Sequence, residues 1–333
     1  MDSHGTHTAG IAAGTRSPLG FGGMAPDADI VLVSTEADEN VNEIAFQFVA
    51  HYAQQIEAPV VLSASMNSHE GPHNGTGTMP ELIDELSHHV IPVMSVGNEG
   101  NKHLHIYKAF DEENRSIKAF LARATPIIGE DDNTNKMMGS VVCGYSRNTL
   151  GEDDTWSVQI GLLRLSSGEA VWRTEPLTIS PSQDGYIEIF SDDDEILSQF
   201  MQGGFVGISS RVVDGKIELL AAGQGVRIKR LPFFISLSSS SHIEMDLWET
   251  IDEFEAINME GYTLGDSEFS CGDWTSTPNV ISVGNYVANT TSRLYTGSVI
   301  DESDLYTLDD ISYKSSYGVS LNGVAQPTVA APG

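Results

Sequence analysis

The sequence predicts an α/β fold, with a parallel sheet flanked by helices, that is interrupted by an all-β insertion. Residues 1–101 alternate short apolar runs with amphipathic stretches, as strand–helix–strand units with parallel strands do. Between residues 138 and 248, short strand-like runs follow one another without helices, which is typical of a sandwich or jelly roll. After Cys271, apolar runs typical of the strands of an α/β domain return. We therefore divide the chain into an N-terminal α/β part, an inserted β-rich domain and a continuation of the α/β part, at residues 1–101, 102–270 and 271–333.

Three apolar runs in the first part predict strands that are covered on both faces. They read ADIVLVS, APVVLSAS and VIPVMSVGNEG, and NVISVGNYV and QPTVAAPG follow in the continuation. A small-residue-rich stretch, HGTHTAGIAAG, predicts a helix with His4 near its start.

Two further helices are predicted from their apolar spacing. In VNEIAFQFVAHYAQQI, apolar residues recur at intervals of four and predict one buried face, formed by Ile44, Phe48, Tyr52 and Ile56. In TMPELIDELSHH, Thr78 is the expected N-cap and Pro80 lies in the first turn, while Leu82 and Leu86 share a face.

The inserted domain is predicted from about eight strand-like runs. The clearest local signal is VVDGKIEL, because Asp214-Gly215 suits a tight hairpin turn with positive φ. The runs are GSVVCGY, WSVQIGLLRL, AVWRTEPLTI, GYIEIFS, FVGISSRVV, KIELLAA, VRIKRLPFFISL and IEMDLW.

Composition argues against two classes of partner. The 333 residues include 17 Lys and Arg against 47 Asp and Glu, a net charge of −30, which disfavours binding to nucleic acid phosphates. No run approaches the ~20 apolar residues needed to span a bilayer. The two cysteines, Cys143 and Cys271, either pair or remain as core thiols, and the sequence leaves both options open.

Three motifs follow one another in a distinctive order: SHGTHTAG near the start, SVGNEG at the end of the third predicted strand, and PTVAAPG at the end of the chain. In this order they resemble the subtilisin family of serine proteases. The resemblance implies that His4 is the general base of the catalytic triad, which takes a proton from a serine and returns it to the leaving amine. It also implies that Asn98 donates a hydrogen bond to the oxyanion of the tetrahedral intermediate.

The segment VVLSASMNSHEGPHNGTG resembles the part of that family whose extended backbone binds the substrate and forms a wall of the first specificity pocket. On this alignment Ser65, Met66 and Asn67 are the substrate-binding residues, and Asn67 replaces the usual glycine. The continuation GPHNGTG is similar to subtilases that carry a β-domain insertion, including the clostridial spore-germination proteases.

The family's serine lies in Gly-Thr-Ser, a motif that this sequence does not contain, and its aspartate precedes the histidine motif. The chain is therefore expected to be truncated at both ends and inactive as it stands, although its parent would be a serine endopeptidase acting on protein or peptide substrates. The alternative is a catalytically inactive pseudoprotease that binds or regulates a partner. A further alternative makes the β insertion a binding module for a partner or glycan.

Several other expectations depend on the resemblance or on weak patterns. The parent is expected outside the cell or at its surface, without a cofactor. A structural calcium ion is common in the family, but no ligands are assigned, and the oligomeric state is not indicated. His4 and His7 have metal-ligand spacing without a third ligand, so the protease interpretation is preferred. The histidine pairs at 88–89 and at 103 and 105 are expected at the surface.

Overall fold

The computed structural model describes residues 4–18, 20–34, 39–56, 58–121, 136–227, 231–294 and 296–333. Three α-helices are present in these residues, namely α1 (His4–Ala13), α2 (Glu39–Gln55) and α3 (Thr78–Leu86). The strands, in chain order, are β1 (Val61–Ala64), β2 (Ile91–Ser95), β3 (His105–Phe110), β4 (Ser116–Phe120), β5 (Lys136–Ser146), β6 (Trp156–Arg164), β7 (Glu169–Arg173), β8 (Leu177–Ile179), β9 (Gly185–Phe190), β10 (Met201–Val213), β11 (Lys216–Arg227), β12 (Phe233–Ser239), β13 (Ile243–Glu249), β14 (Ile281–Tyr286), β15 (Thr291–Arg293), β16 (Val299–Asp301), β17 (Gly318–Val319), β18 (Ala325–Gln326) and β19 (Val329–Pro332).

A four-stranded parallel sheet organises the α/β part. Its order is β1-β2-β14-β19, so strands from before and after the insertion lie side by side. Helices α2 and α3 contribute to one core with this sheet, in which Ile83 and Met94 are almost fully buried. This arrangement confirms the predicted α/β class and four of its five predicted strands.

The remaining predicted strand of the α/β part, ADIVLVS, does not form. Residues 29–34 adopt no regular structure, and Ile30 and Leu32 are 51% and 77% exposed. An apolar run becomes a strand only where a neighbouring strand supplies hydrogen bonds, and none of the described strands pairs with this run. The composition of the run indicates apolar character but not pairing.

Helix α2 forms as predicted, but it buries a different face. Ile44 and Phe48 are exposed, whereas Phe46 is buried and meets the ring of Trp274 edge-on with centroids 5.8 Å apart. The predicted face is therefore wrong at its first two positions, and Tyr52 and Ile56 are only half-buried. Small residues complete the buried face because they allow close approach to the rest of the core, namely Ala45, Ala50 and Ala53.

Helix α3 also forms, with a different N-cap. The N-cap is Gly77 instead of Thr78, which is the first residue of the helix. Leu86 is buried as predicted, but Ile83 shares the buried face with it and Leu82 is only half-buried. The apolar spacing thus predicts the helix correctly and its orientation only in part.

The insertion is a sandwich of two antiparallel sheets. One has six strands in the order β3-β13-β5-β11-β10-β9, and the other has the order β4-β12-β6-β7, with β8 paired to β6. The facing side chains form the largest hydrophobic core of the described residues, in which Val158, Ile160 and Ile235 are fully buried. The hairpin between β10 and β11 turns at Asp214 (φ 50°) and Gly215 (φ 76°), as predicted.

Two strands of the sandwich are missing from the prediction. β3 and β4 read HIYKAF and SIKAF, in which Lys108 and Lys118 interrupt the apolar pattern. Both pair with long strands of the sandwich, β3 with β13 and β4 with β12. Their pairing partners therefore compensate for a weak local signal.

Two predicted runs contribute to two strands each, and VRIKRLPFFISL is one of them, since it contains the end of β11 and most of β12. AVWRTEPLTI is divided into β7 and β8, and the break between them spans Thr174 to Pro176. Proline has no N–H to donate to a sheet ladder, which explains why the run is divided there.

The boundaries at residues 102 and 270 stay predictions. The sandwich strands themselves extend from β3 to β13, and an isolated bridge joins His105 to Asp266 beyond the last of them. Within the described residues, no helix is long and apolar enough to cross a membrane.

Candidate functional site

The predicted substrate segment and the predicted oxyanion donor lie at the same edge of the parallel sheet. β1 and β2 are parallel neighbours, with Ala64 paired to Met94. Ser65 follows directly after β1, and Asn98 follows β2 by three residues. Because the carboxyl ends of parallel strands meet at one edge, and ligands of open α/β sheets bind there, this edge is the candidate site.

Asn67 connects the two strand ends. Its side-chain amide donates to the carbonyl oxygen of Ser95 (2.9 Å), and its Oδ1 accepts from the N–H groups of Ser68 (2.9 Å) and Trp274 (3.2 Å). Asn67, which replaces the family's usual glycine, is thus held by three side-chain hydrogen bonds. Ser65 and Met66 beside it are exposed, so this segment is accessible to a ligand.

Asn98 lies on a turn that is held by hydrogen bonds with Ser316 and Glu99. Gly97 has a φ of 117°, a conformation that favours glycine, and its carbonyl accepts from the N–H of Ser316 (3.2 Å). The carboxylate of Glu99 accepts from the N–H of Asn98 (2.6 Å) and from the hydroxyl of Ser316 (3.3 Å). Asn98 itself is exposed, so its side-chain amide is available to a ligand.

Glu99 carries its negative charge in this arrangement. Burial alone would raise the pKa of its carboxyl, but the nearby imidazole of His69 and the hydrogen bond from the N–H of Asn98 outweigh burial and lower the pKa. The Nε2 atom of His69 lies 3.6 Å from Oε2 of Glu99. The turn is therefore held by an ionised carboxylate at neutral pH.

A row of rings leads from this turn into the sandwich, and we call it the ring stack: His69, His73, Trp248 and His105. The rings of His69 and His73 are stacked with centroids 5.8 Å apart, and those of His73 and Trp248 with centroids 4.1 Å apart. His105 also contacts Trp248, with ring centroids 5.1 Å apart. The ring stack joins the substrate segment to strand β13.

His73 is neutral in the ring stack. Burial, followed by the charges of His69 and His105, lowers the pKa of His73 from 6.5 to about 3. Its backbone N–H donates to Oδ1 of Asp273 (2.8 Å), and its backbone has a φ of 49°. The residue is thus held in place by contacts with the chain beyond the insertion.

His105 is buried, which corrects the expectation that it lies at the surface. Its two ring nitrogens lie 2.9 Å from Asp246 and 3.0 Å from Asp266. Burial lowers the pKa of His105, but the hydrogen bonds to Asp246 and Asp266 outweigh it, and the net pKa is raised. Arg147 also donates two hydrogen bonds to Asp246, of 2.6 and 2.7 Å. The other three histidines that were expected at the surface are exposed, as predicted: His88, His89 and His103.

His4 begins helix α1, in which no residue is buried. Backbone hydrogen bonds join this helix and the residue after it to Gly23, Met24 and Ala25. These hydrogen bonds all lie within residues 4–34. The pairing of His4 with Asn98 at one active site stays a prediction.

Neither cysteine is disulfide-bonded, and both are buried. Burial, with a contribution from the charge of Glu99, raises the pKa of Cys271 to about 12. In the part of the chain that the structure describes, no three His, Cys, Asp or Glu side chains are grouped as metal ligands. The expectation about calcium stays a prediction.

Comparison with known proteins agrees with the motifs. Residues 1–128 match the model of the subtilase family. Comparison with curated protein sequences gave no match. Among solved structures, the CspB protease of Clostridium perfringens is similar over 99% of this chain, with a TM-score of 0.61 and 20% identity.

The likeness to CspB shows the fold, and this chain spans 62% of the length of that protease. The motif order, the family match in the first part and the fold of nearly the whole chain agree with one another. The resemblance of this chain to the subtilases is therefore confirmed.

Proposed function

We propose that the intact protein containing this chain is a subtilisin-like serine endopeptidase. His4 is the general base, Asn98 the oxyanion donor, and Ser65, Met66 and Asn67 bind the substrate backbone. The serine nucleophile and the aspartate that orients the base are supplied by parts of the protein outside these residues. The reaction passes through an acyl-enzyme on that serine.

The observation that carries the proposal is the meeting of two segments at one sheet edge. Ser65 and Met66 are exposed, and Asn67 ties their segment to the end of β2, from which the Asn98 turn departs. A peptide lying along the first segment would present a carbonyl oxygen toward the second. A fixed amide at that point stabilises charge that develops only in the transition state.

The test uses the intact protein and a serine-directed fluorophosphonate, together with hydrolysis of a peptide p-nitroanilide. We expect labelling of the wild type and its loss in His4→Ala. In Asn98→Ala, kcat should fall about 10²–10³-fold, the magnitude typical of removing one oxyanion-hole donor. Asn101→Ala is the matched control, because Asn101 is an exposed asparagine three residues further along the same loop.

An intact wild-type protein that neither reacts with the probe nor cleaves peptides would overturn the proposal. If that protein still bound peptides through Ser65 and Met66, the pseudoprotease alternative would replace it. Equal kcat values for Asn98→Ala and Asn101→Ala would remove the oxyanion role from Asn98.

A further inference from the structure

The ring stack provides a physical connection between the inserted sandwich and the Asn98 turn. At the sandwich end, Trp248 is fully buried, and its Nε1 donates to the carbonyl oxygen of Phe269 (3.2 Å). His105 lies against it, fixed between two aspartates. This end of the stack therefore has little freedom to move.

The next contact links that fixed end to the substrate segment. The ring of His73 lies nearly parallel to Trp248, with an interplanar angle of 13°. Its Nε2 lies 3.3 Å from the carbonyl oxygen of His69 and donates to it. The position of His69 therefore depends on the position of Trp248.

The last contact reaches the turn. His69 is buried, and its Nδ1 has no hydrogen-bond partner among the described residues, so its polar contact is made through Nε2 to Glu99. The same Oε2 atom of Glu99 accepts from the N–H of Asn98. Displacement of His69 would remove one of the groups that position this oxygen, leave it with the hydroxyl of Ser316, and so weaken its hold on the N–H of Asn98.

We propose that Trp248 and His69 are positioning residues for Asn98, so that the inserted sandwich sets the geometry of the oxyanion donor. This inference rests on the proposed function. Neither residue is among those proposed to act on or bind the substrate. Because an oxyanion donor acts on charge in the transition state, a misplaced Asn98 should lower kcat and leave KM nearly unchanged.

The experiment combines two variants with a matched control in the intact protein. Trp248→Phe replaces the indole with a smaller ring and so reduces its contact with His73. His69→Phe keeps a ring at that position but removes the polar contact with Glu99. Trp172→Phe is the control, since Trp172 is also a buried tryptophan of the sandwich but bonds to Asp194 outside the ring stack. His69→Gln, which retains a donor, should recover part of the activity.

We expect about tenfold lower kcat for Trp248→Phe and His69→Phe, with KM nearly constant, and no change for Trp172→Phe. In an Asn98→Ala background, neither variant should have a further effect, because the residue that they position is gone. Full additivity with Asn98→Ala would overturn the inference.

A second readout does not require activity. The backbone amide resonance of Asn98 should shift in both variants and not in the control, because its hydrogen bond to Glu99 changes. An unchanged resonance would overturn the positioning role. A shifted resonance in a protein without peptidase activity would support the contact chain and overturn the proposed function alone.

Discussion

The two parts of this molecule differ in how fully they cover their own apolar surface. The sandwich buries both inner faces against each other, with Val158, Ile160 and Ile235 fully enclosed. The α/β part has a smaller core and leaves Ile30 and Leu32 exposed. The sandwich thus contains the strands that complete its core, whereas the candidate site lies on the less covered part.

Rigidity and the proposed chemistry are divided between the two parts. The residues proposed for catalysis are on the α/β part, and the ring stack connects the contact between His69 and Glu99 to Trp248 in the sandwich. If this division is correct, each substitution should act mainly on the part in which its contacts lie.

The largest effect is expected for Asp246→Ala. Asp246 is fully buried between His105 and Arg147, so its removal takes one carboxylate from the buried imidazole and both hydrogen bonds from the guanidinium. We expect the free energy of unfolding to fall by about 3–5 kcal/mol in urea denaturation. Glu244→Ala on the same strand, whose carboxylate is partly exposed, should cost less than about 1 kcal/mol. Equal losses would contradict the assignment of Asp246 as an anchor.

Whether the sandwich and the α/β part are separately stable can be tested with two buried isoleucines. Ile235 and Ile83 are both 0% exposed, one in each core. Replacement of either by alanine should cost about 2–5 kcal/mol. Hydrogen exchange should rise mainly in sandwich peptides for Ile235→Ala and in α/β peptides for Ile83→Ala. Loss of protection across the whole chain in both variants would show one cooperative unit instead.

The ring stack should make the junction sensitive to acid. Because the folded-state pKa of His73 is about 3 and the unfolded value is about 6.5, its contribution to stability is complete above pH 6.5 and is lost as pH falls toward 3. Between pH 6.5 and about 5 this loss is about 2 kcal/mol. His73→Phe should remove this loss in urea titrations at the two pH values, and His89→Phe, at an exposed site, should not.

The smallest effect is expected at the β10–β11 hairpin. Gly215 has a φ of 76°, and a Cβ there would lie 2.5 Å from Cγ2 of Thr149. Gly215→Ala should cost about 1 kcal/mol or somewhat more. Gly5→Ala, where a Cβ meets no atom within 4 Å, is the comparison, and thermal denaturation measures both. A cost at Gly5 equal to that at Gly215 would contradict the steric explanation.

Local patterns predict most of the fold because they reflect local physics. Strand-like runs identify most sandwich strands, and Asp214-Gly215 identifies the hairpin between β10 and β11, since both depend on neighbouring residues. The pairing order of the strands depends on distant residues, and no local pattern carries it. The same reason explains the error at residues 29–34, where apolar character is present but a pairing strand is not.

The candidate site is predictable only where short motifs identify it. Asn98 and the segment at Ser65 are found from their motifs, but the ring stack is not. His73 and Trp248 are separated by 175 positions in the sequence, and their contact follows from the way the sandwich returns to the sheet. His105 resembles a surface histidine in the sequence because the two aspartates that bind its ring are also distant.

The two buried thiols have a practical consequence. A thiol without access to solvent reacts slowly with alkylating reagents, and the raised pKa of Cys271 slows that residue further, so Cys143 and Cys271 should resist iodoacetamide while the protein is folded. Cys143 lies in strand β5, whereas Cys271 follows the last strand of the sandwich. The order in which they become alkylated would therefore report which region opens first, without any engineered cysteine.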